Sequence, residues 1–348
     1  MNIKFYLLPI FVFVLSTLDT HAQDLREFRV KPDSTISQEL NDKALAVKKI
    51  NVPIPKLELK VNYWKHWTSF GINFNQAQFS ENWKQGGVNS WAILGSLYQK
   101  SEYNRSNFNF TTVMDFKYGK LKSENQIAKP NYDRIFWDNK LSYKVSKSWA
   151  IYTSITFESQ FDNRFTYGKD QGGRDSVTGV ISSFMAPGYF TESFGLEYKP
   201  DPTFSLRLGT GTARQTLVLD NRLKPYTGAQ YFERYGRYLD PNNPDKGTGV
   251  KFGVEEGKVV KNDLAFQITA DLNRNLAKNL NLKARYNLFA DYRDINDPNH
   301  RLDATFSSKV TSLINVSLSG TILYDSALDG KVQWSEQLGV GVLFNFPK

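Results

Sequence analysis

The stretch Leu282-Lys-Ala-Arg-Tyr-Asn-Leu-Phe-Ala-Asp-Tyr292 alternates apolar and polar side chains. Its apolar row is Leu282, Ala284, Tyr286, Leu288 and Tyr292, and the opposite row contains Lys283, Arg285 and Asp291. Successive side chains of a β-strand point to opposite faces, so this period predicts a strand with one apolar and one charged face. The stretch is longer than the roughly 5–6 residues of most soluble strands and reaches the length of a tilted strand that crosses a bilayer.

The same alternation recurs in twelve segments between His66 and Phe346. In the second segment two apolar rows are possible, Ala92, Leu94 and Tyr98 or Trp91, Ile93 and Leu97. Long connections, such as residues 220–262, alternate with short turns, as outer-membrane barrels do. An open sheet edge in lipid would leave backbone groups without partners. The sequence therefore predicts an all-β fold, an antiparallel transmembrane β-barrel of about 12 strands over residues 65–348.

Two segments before the barrel differ from it in composition. Residues 1–22 have a positive start, a short apolar stretch and small residues at Thr20 and Ala22, which predicts a signal peptide. Residues 23–64 are polar and contain Pro32, Pro53 and Pro55, so we expect a periplasmic leader. The leader is either a plain linker or an arm that plugs the lumen or binds a partner. Export with these features predicts the outer membrane of a Gram-negative bacterium.

Composition excludes several function classes. The chain has 348 residues, no cysteine, three histidines and a formal net charge of +9. Thiolate chemistry is excluded, and we expect no metal, no cofactor and no catalytic residues. His66 lacks the His-x-Ser spacing of a catalytic pair, and His300 could pair with Asp297 or Asp303. Residues 240–247 are similar to a Ca²⁺ loop but lack its final bidentate acid, so turn chemistry explains them as well.

Aromatic residues near the strand ends predict the two membrane interfaces. One group is Trp64, Trp67, Tyr143, Trp149 and Tyr198, and the other is Trp91, Trp137, Tyr292, Tyr324 and Trp334. We therefore expect outer-membrane lipid as a partner. Lys and Arg on the external loops are expected to pair with lipopolysaccharide phosphates. The final strand, which ends Val342-Leu-Phe344-Asn-Phe346-Pro-Lys348, is similar to the aromatic signal read by the barrel-insertion machinery. Charge spread over every strand argues against nucleic acid, and the sequence predicts no oligomeric state.

A motif between the first two strands, Phe74-Asn-Gln-Ala-Gln-Phe-Ser-Glu-Asn-Trp-Lys-Gln-Gly-Gly-Val-Asn-Ser-Trp91, resembles that of the DUF3078 family. Residues 181–187, 198–200 and 338–342 support the resemblance, which extends over most of residues 67–346. It implies a Bacteroidetes outer-membrane barrel of unknown function. The residues Trp83, Gly86, Gly87 and Asn89 form the motif loop. We interpret Gly86, Gly87 and Asn89 as a loop that needs left-handed backbone geometry, with ligand contact as the alternative.

The inward rows offer the candidate functional residues. They are Arg134, Asp138, Lys140, Arg207, Asp271, Lys283 and Arg285. The cations either line a channel for small anionic solutes or pair with acids such as Asp115 and Glu158 in a plugged interior. Three functions therefore stay open: a passive porin-like channel, a non-conducting structural or interaction barrel, and an outer-membrane hydrolase, which the scarcity of histidine disfavours. We expect no enzyme.

Overall fold

The computed structural model describes residues 62–82, 84, 87–311 and 313–346. Twelve of its strands form a closed antiparallel barrel, which confirms the predicted fold class. The strands are β1 Trp64–Ala77, β2 Ser90–Arg105, β3 Phe108–Ser123, β4 Lys129–Lys144, β5 Trp149–Ser159, β6 Arg164–Lys169, β7 Asp175–Ser182, β8 Gly188–Asp201, β9 Phe204–Leu217, β10 Val260–Ala277, β11 Leu280–Asp291, β12 Asn299–Lys309, β13 Ile314–Asp325 and β14 Asp329–Phe346. Strands β6 and β7 form a separate hairpin, so β5 pairs with β8, and β14 closes the barrel on β1. The signal peptide and residues 23–61 of the leader lie outside the described residues.

The barrel wall is apolar on its outside and polar on its inside. Along β5, Trp149, Ile151 and Ile155 are exposed, whereas Tyr152 and Ser154 are buried. A soluble protein would bury the apolar row, so this inverted pattern is that of a barrel whose outer face contacts lipid. In β2 the outward row is Trp91, Ile93 and Leu97, which decides between the two rows that the sequence left open.

The connections alternate between a short-turn rim and a long-loop rim. At the short-turn rim, two residues join β2 to β3, β8 to β9 and β10 to β11. The long-loop rim carries residues 160–187, with the β6–β7 hairpin, and residues 218–259. One connection at the long-loop rim is short, because β13 and β14 continue pairing to Asp325 and Asp329 and leave residues 326–328 between them. Long external ends of strands carry polar residues and so escape an apolar pattern.

The longest loop has structure of its own. It contains α1, Gly228–Tyr235, which begins with a capping box between Thr227 and Gln230 and ends at Gly236 in the left-handed conformation. Four buried side chains of the two long loops form a small apolar core, namely Ala186, Val218, Leu223 and Val254. No helix in the described part of the chain is long and apolar enough to cross a membrane.

The seam between the first and last strands is short. The ladder of β1 with β14 covers Thr68–Asn73, whereas its ladder with β2 covers the whole strand. The two strands approach closely at Gly341, where an added Cβ would lie 2.2 Å from the carbonyl oxygen of Ile72. Towards the long-loop rim, the side-chain amide of Asn75 donates a hydrogen bond to the carbonyl of Leu338 over 3.2 Å. A side-chain contact therefore continues the seam where the ladder has ended.

Candidate functional site in the barrel lumen

A layer of charged side chains divides the lumen into two chambers. The lower chamber, next to the short-turn rim, has a volume of about 210 Å³, and the upper chamber has about 130 Å³. Five residues line both chambers and therefore separate them: Arg134, Phe136, Arg207, Arg285 and Asp303. We call these five residues the partition. Every one of them belongs to an inward row, because the period of the strands places alternate side chains in the lumen.

Asp138 of β4 organises one half of the partition. Its carboxylate accepts hydrogen bonds from Arg207 of β9 over 3.0 Å and from Arg285 of β11 over 3.1 Å. The hydroxyl of Thr156 donates a third hydrogen bond over 2.9 Å. Asp271 lies within 3.6 Å of both arginines and shares their charge. One buried carboxylate thus links strands from three parts of the wall through charge-assisted hydrogen bonds.

The other half of the partition crosses the lumen from wall to wall. Arg134 of β4 contacts Glu158 of β5 over 3.2 Å and Asp303 of β12 over 3.5 Å. Arg301 of β12 contacts the same two carboxylates over 2.8 Å each. The ring of Phe136 lies between the halves, with the guanidinium carbons of Arg134 and Arg285 each 4.6 Å from its centroid. Ion pairs and the aromatic ring of Phe136 therefore fill the centre of the lumen.

All seven residues that the sequence placed in the lumen line the lower chamber. Lys140 forms an ion pair with Glu197 of β8, whose second carboxylate oxygen accepts a hydrogen bond from Ser142. Lys283 has no carboxylate within 4 Å among the described residues, and its ammonium lies 3.4 Å from the ring centroid of Tyr98. The inward acids of the lower chamber therefore form ion pairs, whereas the inward Lys283 does not.

Four charged residues that face the lumen were not identified from the sequence. Arg301 and Asp303 lie on the charged row of β12, opposite the apolar row that begins at Leu302. Arg214 of β9 and Glu197 of β8 also face inward. The alternation could have located all four, but their partners lie on distant strands and no spacing in the sequence indicates those pairings.

A third cavity of about 120 Å³ lies above the upper chamber, at the long-loop rim. We call this cavity the vestibule. Five aspartates line it: Asp263, Asp291, Asp294, Asp297 and Asp325. Hydrogen bonds from Ser326 and Tyr324 lower the pKa of Asp297, which keeps its carboxylate charged. The mouth of the barrel is therefore more acidic than the chambers beneath it.

Each of the two histidines in the described part of the chain lies beside a hydroxyl group. His66 Nδ1 lies 2.8 Å from the hydroxyl of Ser101, a partner on β2 that the local sequence around His66 could not indicate. Ser101 is only 5% exposed, so its oxygen is closed to a substrate. The prediction that His300 could pair with Asp297 or Asp303 is wrong, because His300 is the second residue of β12 and its Nδ1 lies 2.8 Å from the hydroxyl of Tyr286.

Two residues of the motif loop, Gly87 and Asn89, are described by the structure, and both have structural roles. Trp83 and Gly86 lie outside the described residues. Gly87 has a φ of 145°, and an added Cβ there would lie 2.7 Å from the ring of Phe79. Asn89 accepts a hydrogen bond from the Phe79 amide over 2.6 Å, which fixes the loop to the start of β2.

The segment similar to a Ca²⁺ loop is a turn. Asp240 accepts a hydrogen bond from the Asn242 amide over 3.0 Å and pairs with Lys246 over 3.3 Å. The described residues contain no cluster of three acids or histidines that could hold a metal ion.

One predicted interface residue has a different role. Trp137 lies in the middle of β4, and its indole N–H donates to the hydroxyl of Thr112 over 3.0 Å. Its polar group is thus satisfied within the wall, so it needs no headgroup partner. Trp149 and Tyr198 lie together near the short-turn rim, with ring centroids 5.0 Å apart.

Comparisons with known proteins give one family match and several distant barrels. The translocator domain of the autotransporter NalP from Neisseria meningitidis is 13% identical, with 83% of this chain and 90% of that chain covered and a TM-score of 0.34. The NanC porin is 8% identical, with coverages of 79% and 98% and a TM-score of 0.32. The monoaromatic hydrocarbon channel CymD is 9% identical, with coverages of 81% and 87% and a TM-score of 0.29. No curated protein matches the sequence.

The model of a family described as "Protein of unknown function (DUF3078)" matches residues 74–165. The resemblance seen in the sequence is therefore confirmed for residues 74–165, the segment from β1 to the start of the β6–β7 hairpin, which is similar to the DUF3078 family.

Proposed function

We propose that this protein is an outer-membrane channel for small anionic solutes and that the partition is its narrowest point. The observation that carries the proposal is the excess of cations along the lumen. Five arginines and three carboxylates line the upper chamber, and eight lysines and arginines face four aspartates in the lower chamber. Rings of Arg and Lys favour anions in a pore.

The outer face supports the location. A wall of exposed apolar side chains with rings at the strand ends suits a lipid bilayer, and a closed barrel with no described membrane-spanning helix suits the outer membrane of a Gram-negative bacterium. Export through the signal peptide, insertion through the last strand and contact of basic loop residues with lipopolysaccharide phosphates belong to the same proposal.

The test is ion conductance of the refolded protein in a planar bilayer, with the reversal potential measured across a KCl gradient. Lys283→Gln is the informative variant, because it removes a lumen charge without leaving a carboxylate unpaired. We expect discrete anion-selective steps for the natural chain and weaker anion selectivity for Lys283→Gln. Lys278→Gln, in the turn between β10 and β11, is the matched control and should leave the selectivity unchanged. Cation-selective steps, or selectivity that ignores Lys283, would contradict the proposal.

The second candidate function is a non-conducting barrel whose external loops bind a partner. The contact of Arg134 with Asp303 favours it. This ion pair crosses the lumen and would block solutes if it never opens. The double variant Arg134→Gln/Asp303→Asn removes both charges together, so neither is left alone. A silent natural chain and a conducting double variant would identify the partition as a permanent plug.

A further inference from the structure

Arg214 of β9 is a cation without an ionic partner. Asp263, directly opposite in the ladder with β10, is paired with Lys261 over 3.1 Å and with Arg293. Within the described residues, no carboxylate oxygen lies within 4 Å of the Arg214 guanidinium. Its Nε is buried and has no hydrogen-bond partner. The other four arginines of the upper chamber each contact two carboxylates, so Arg214 differs from them in kind.

Two aromatic rings lie against this guanidinium. Its central carbon lies 3.5 Å from the ring centroid of Phe289, which is a face-on cation–π contact, and 5.7 Å from that of Tyr189. A stacked guanidinium has little freedom left to lose on binding, and its planar set of donors matches a carboxylate. Such an arginine is preorganised for an anionic group that the chain itself does not supply.

Asp325 of β13 is the complementary case. The residue is only 9% exposed, and its carboxylate accepts a hydrogen bond from the Ala327 amide over 3.0 Å. In the part of the chain that the structure describes, no lysine or arginine nitrogen lies within 4 Å of it. Arg214 and Asp325 both line the upper chamber and the vestibule, so they stand at the same junction without pairing with each other.

We propose that Arg214 and Asp325 form a two-point site for a small zwitterion, a molecule with one carboxylate and one ammonium group such as a free amino acid. The carboxylate of the ligand binds the Arg214 guanidinium, and its ammonium group binds the Asp325 carboxylate. This inference rests on the proposed function and deepens it, since it names the solute class that the upper chamber selects. Burying one cation and one anion unpaired is costly, and a ligand that carries both opposite charges offsets both costs at once.

The surroundings suit the polar part of such a ligand. The side-chain amides of Gln267, Asn287 and Asn299 line the same chamber and offer both donors and acceptors. The acidic vestibule above attracts ammonium groups, and the cationic partition below attracts carboxylates. A zwitterion is therefore oriented as it enters, with its carboxylate towards the partition.

The experiment is calorimetric titration of the refolded full-length barrel. The probes are glycine, β-alanine and γ-aminobutyrate, which increase the separation of the two charges, with acetate and methylammonium as single-charge probes. We expect at least one zwitterion to bind more tightly than either single-charge probe. Arg214→Gln and Asp325→Asn should each weaken that binding by about tenfold or more. Acetate binding should fall only in Arg214→Gln.

The double variant Asp170→Asn/Arg174→Gln, an exposed ion pair at the β6–β7 turn, should bind as the natural chain does. Acetate binding as tightly as every zwitterion, or zwitterion binding that Asp325→Asn leaves unchanged, would overturn the two-point site. No binding of any probe to barrels that show heat-dependent gel mobility would also overturn it. Conductance of the same preparation separates the proposals: anion-selective steps without zwitterion binding refute only this site, and binding in a silent barrel refutes only the channel.

Discussion

Arg134 and Asp303 meet across the full width of the barrel. Their strands, β4 and β12, have five strands between them on either side of the ring, yet the guanidinium Nη1 and the carboxylate Oδ2 are 3.5 Å apart. An ordinary cross-strand pair stabilises two neighbouring strands. This pair joins opposite walls, so it ties the shape of the lumen to the charge of two side chains.

Asp138→Asn should destabilise the barrel, because it removes the closer of the two carboxylates that Arg207 and Arg285 share and leaves them with the more distant Asp271. Removing one partner of a buried ion pair costs about 3 kcal/mol or more in free energy of unfolding. Urea unfolding in lipid vesicles, followed by tryptophan fluorescence, measures this loss. Asp170→Asn, on the exposed β6–β7 turn, should change the free energy of unfolding by less than about 1 kcal/mol. Equal effects of the two substitutions would contradict the role assigned to Asp138.

Gly341→Ala should weaken the seam between β1 and β14. The new Cβ would meet the Ile72 carbonyl at 2.2 Å, so one strand must move away from the other. Overpacking of this kind costs about 1–3 kcal/mol. Gly320→Ala on β13 is the matched control, since its nearest atom is a carbonyl oxygen at 3.8 Å. Heat-dependent gel mobility should show a lower unfolding temperature for Gly341→Ala only.

Phe194→Arg tests the lipid contact of the outer face. Phe194 lies in the middle of β8 and is 57% exposed. An arginine at the bilayer midplane costs about 2–4 kcal/mol, and one near an interface costs about 0–1 kcal/mol. Val310→Arg, just beyond the end of β12, is therefore the control. A protein that tolerates both substitutions equally in vesicles would not be embedded in the bilayer as described here.

Asp220 makes one contact between external loops sensitive to pH. Its carboxylate accepts hydrogen bonds from Arg222 and, over 2.7 Å, from the hydroxyl of Ser183 on the neighbouring loop. The hydrogen bonds from Arg222, and then that from Ser183, lower the pKa of Asp220. A lowered folded-state pKa gives stability that is present above the unfolded pKa of about 3.9 and is lost as the pH falls towards the folded value. The protection of the amides of residues 183–186 against hydrogen exchange, relative to their intrinsic exchange rates, should therefore fall below about pH 4, and Asp220→Asn should show low protection at every pH.

The alternation of apolar and polar residues predicted the barrel well, because in each strand it shows which side chains face outward and which face the lumen. Twelve apolar rows gave twelve barrel strands, and the charged rows gave the lumen. The β6–β7 hairpin and α1 were missed because both lie in long loops, where no buried face imposes a regular pattern. Strand ends at the long-loop rim were also missed, since they continue into water and carry polar side chains on both faces.

The candidate site could be predicted only by residue type and direction. The sequence placed Arg134 and Asp138 in the lumen, but it could not show that Arg134 reaches β12 or that Asp138 joins β9 and β11. Such pairings depend on the curvature of the closed wall and on how far each side chain extends. For the same reason, the unpaired state of Arg214 and Asp325 could be recognised only once every competing partner had a position.

The short seam between β1 and β14 has a mechanical consequence. Backbone hydrogen bonds form a complete hoop only at the height of Thr68–Asn73, and above it the hoop is interrupted at one line. Tension that widens the wall concentrates on that line, so a tear would start at the long-loop rim and run downwards. Trp334, 75% exposed on β14 above the paired segment, has its ladder partner on β13 and none on β1. We therefore expect the thickness and lateral pressure of a surrounding bilayer to affect how firmly this side of the cylinder holds together.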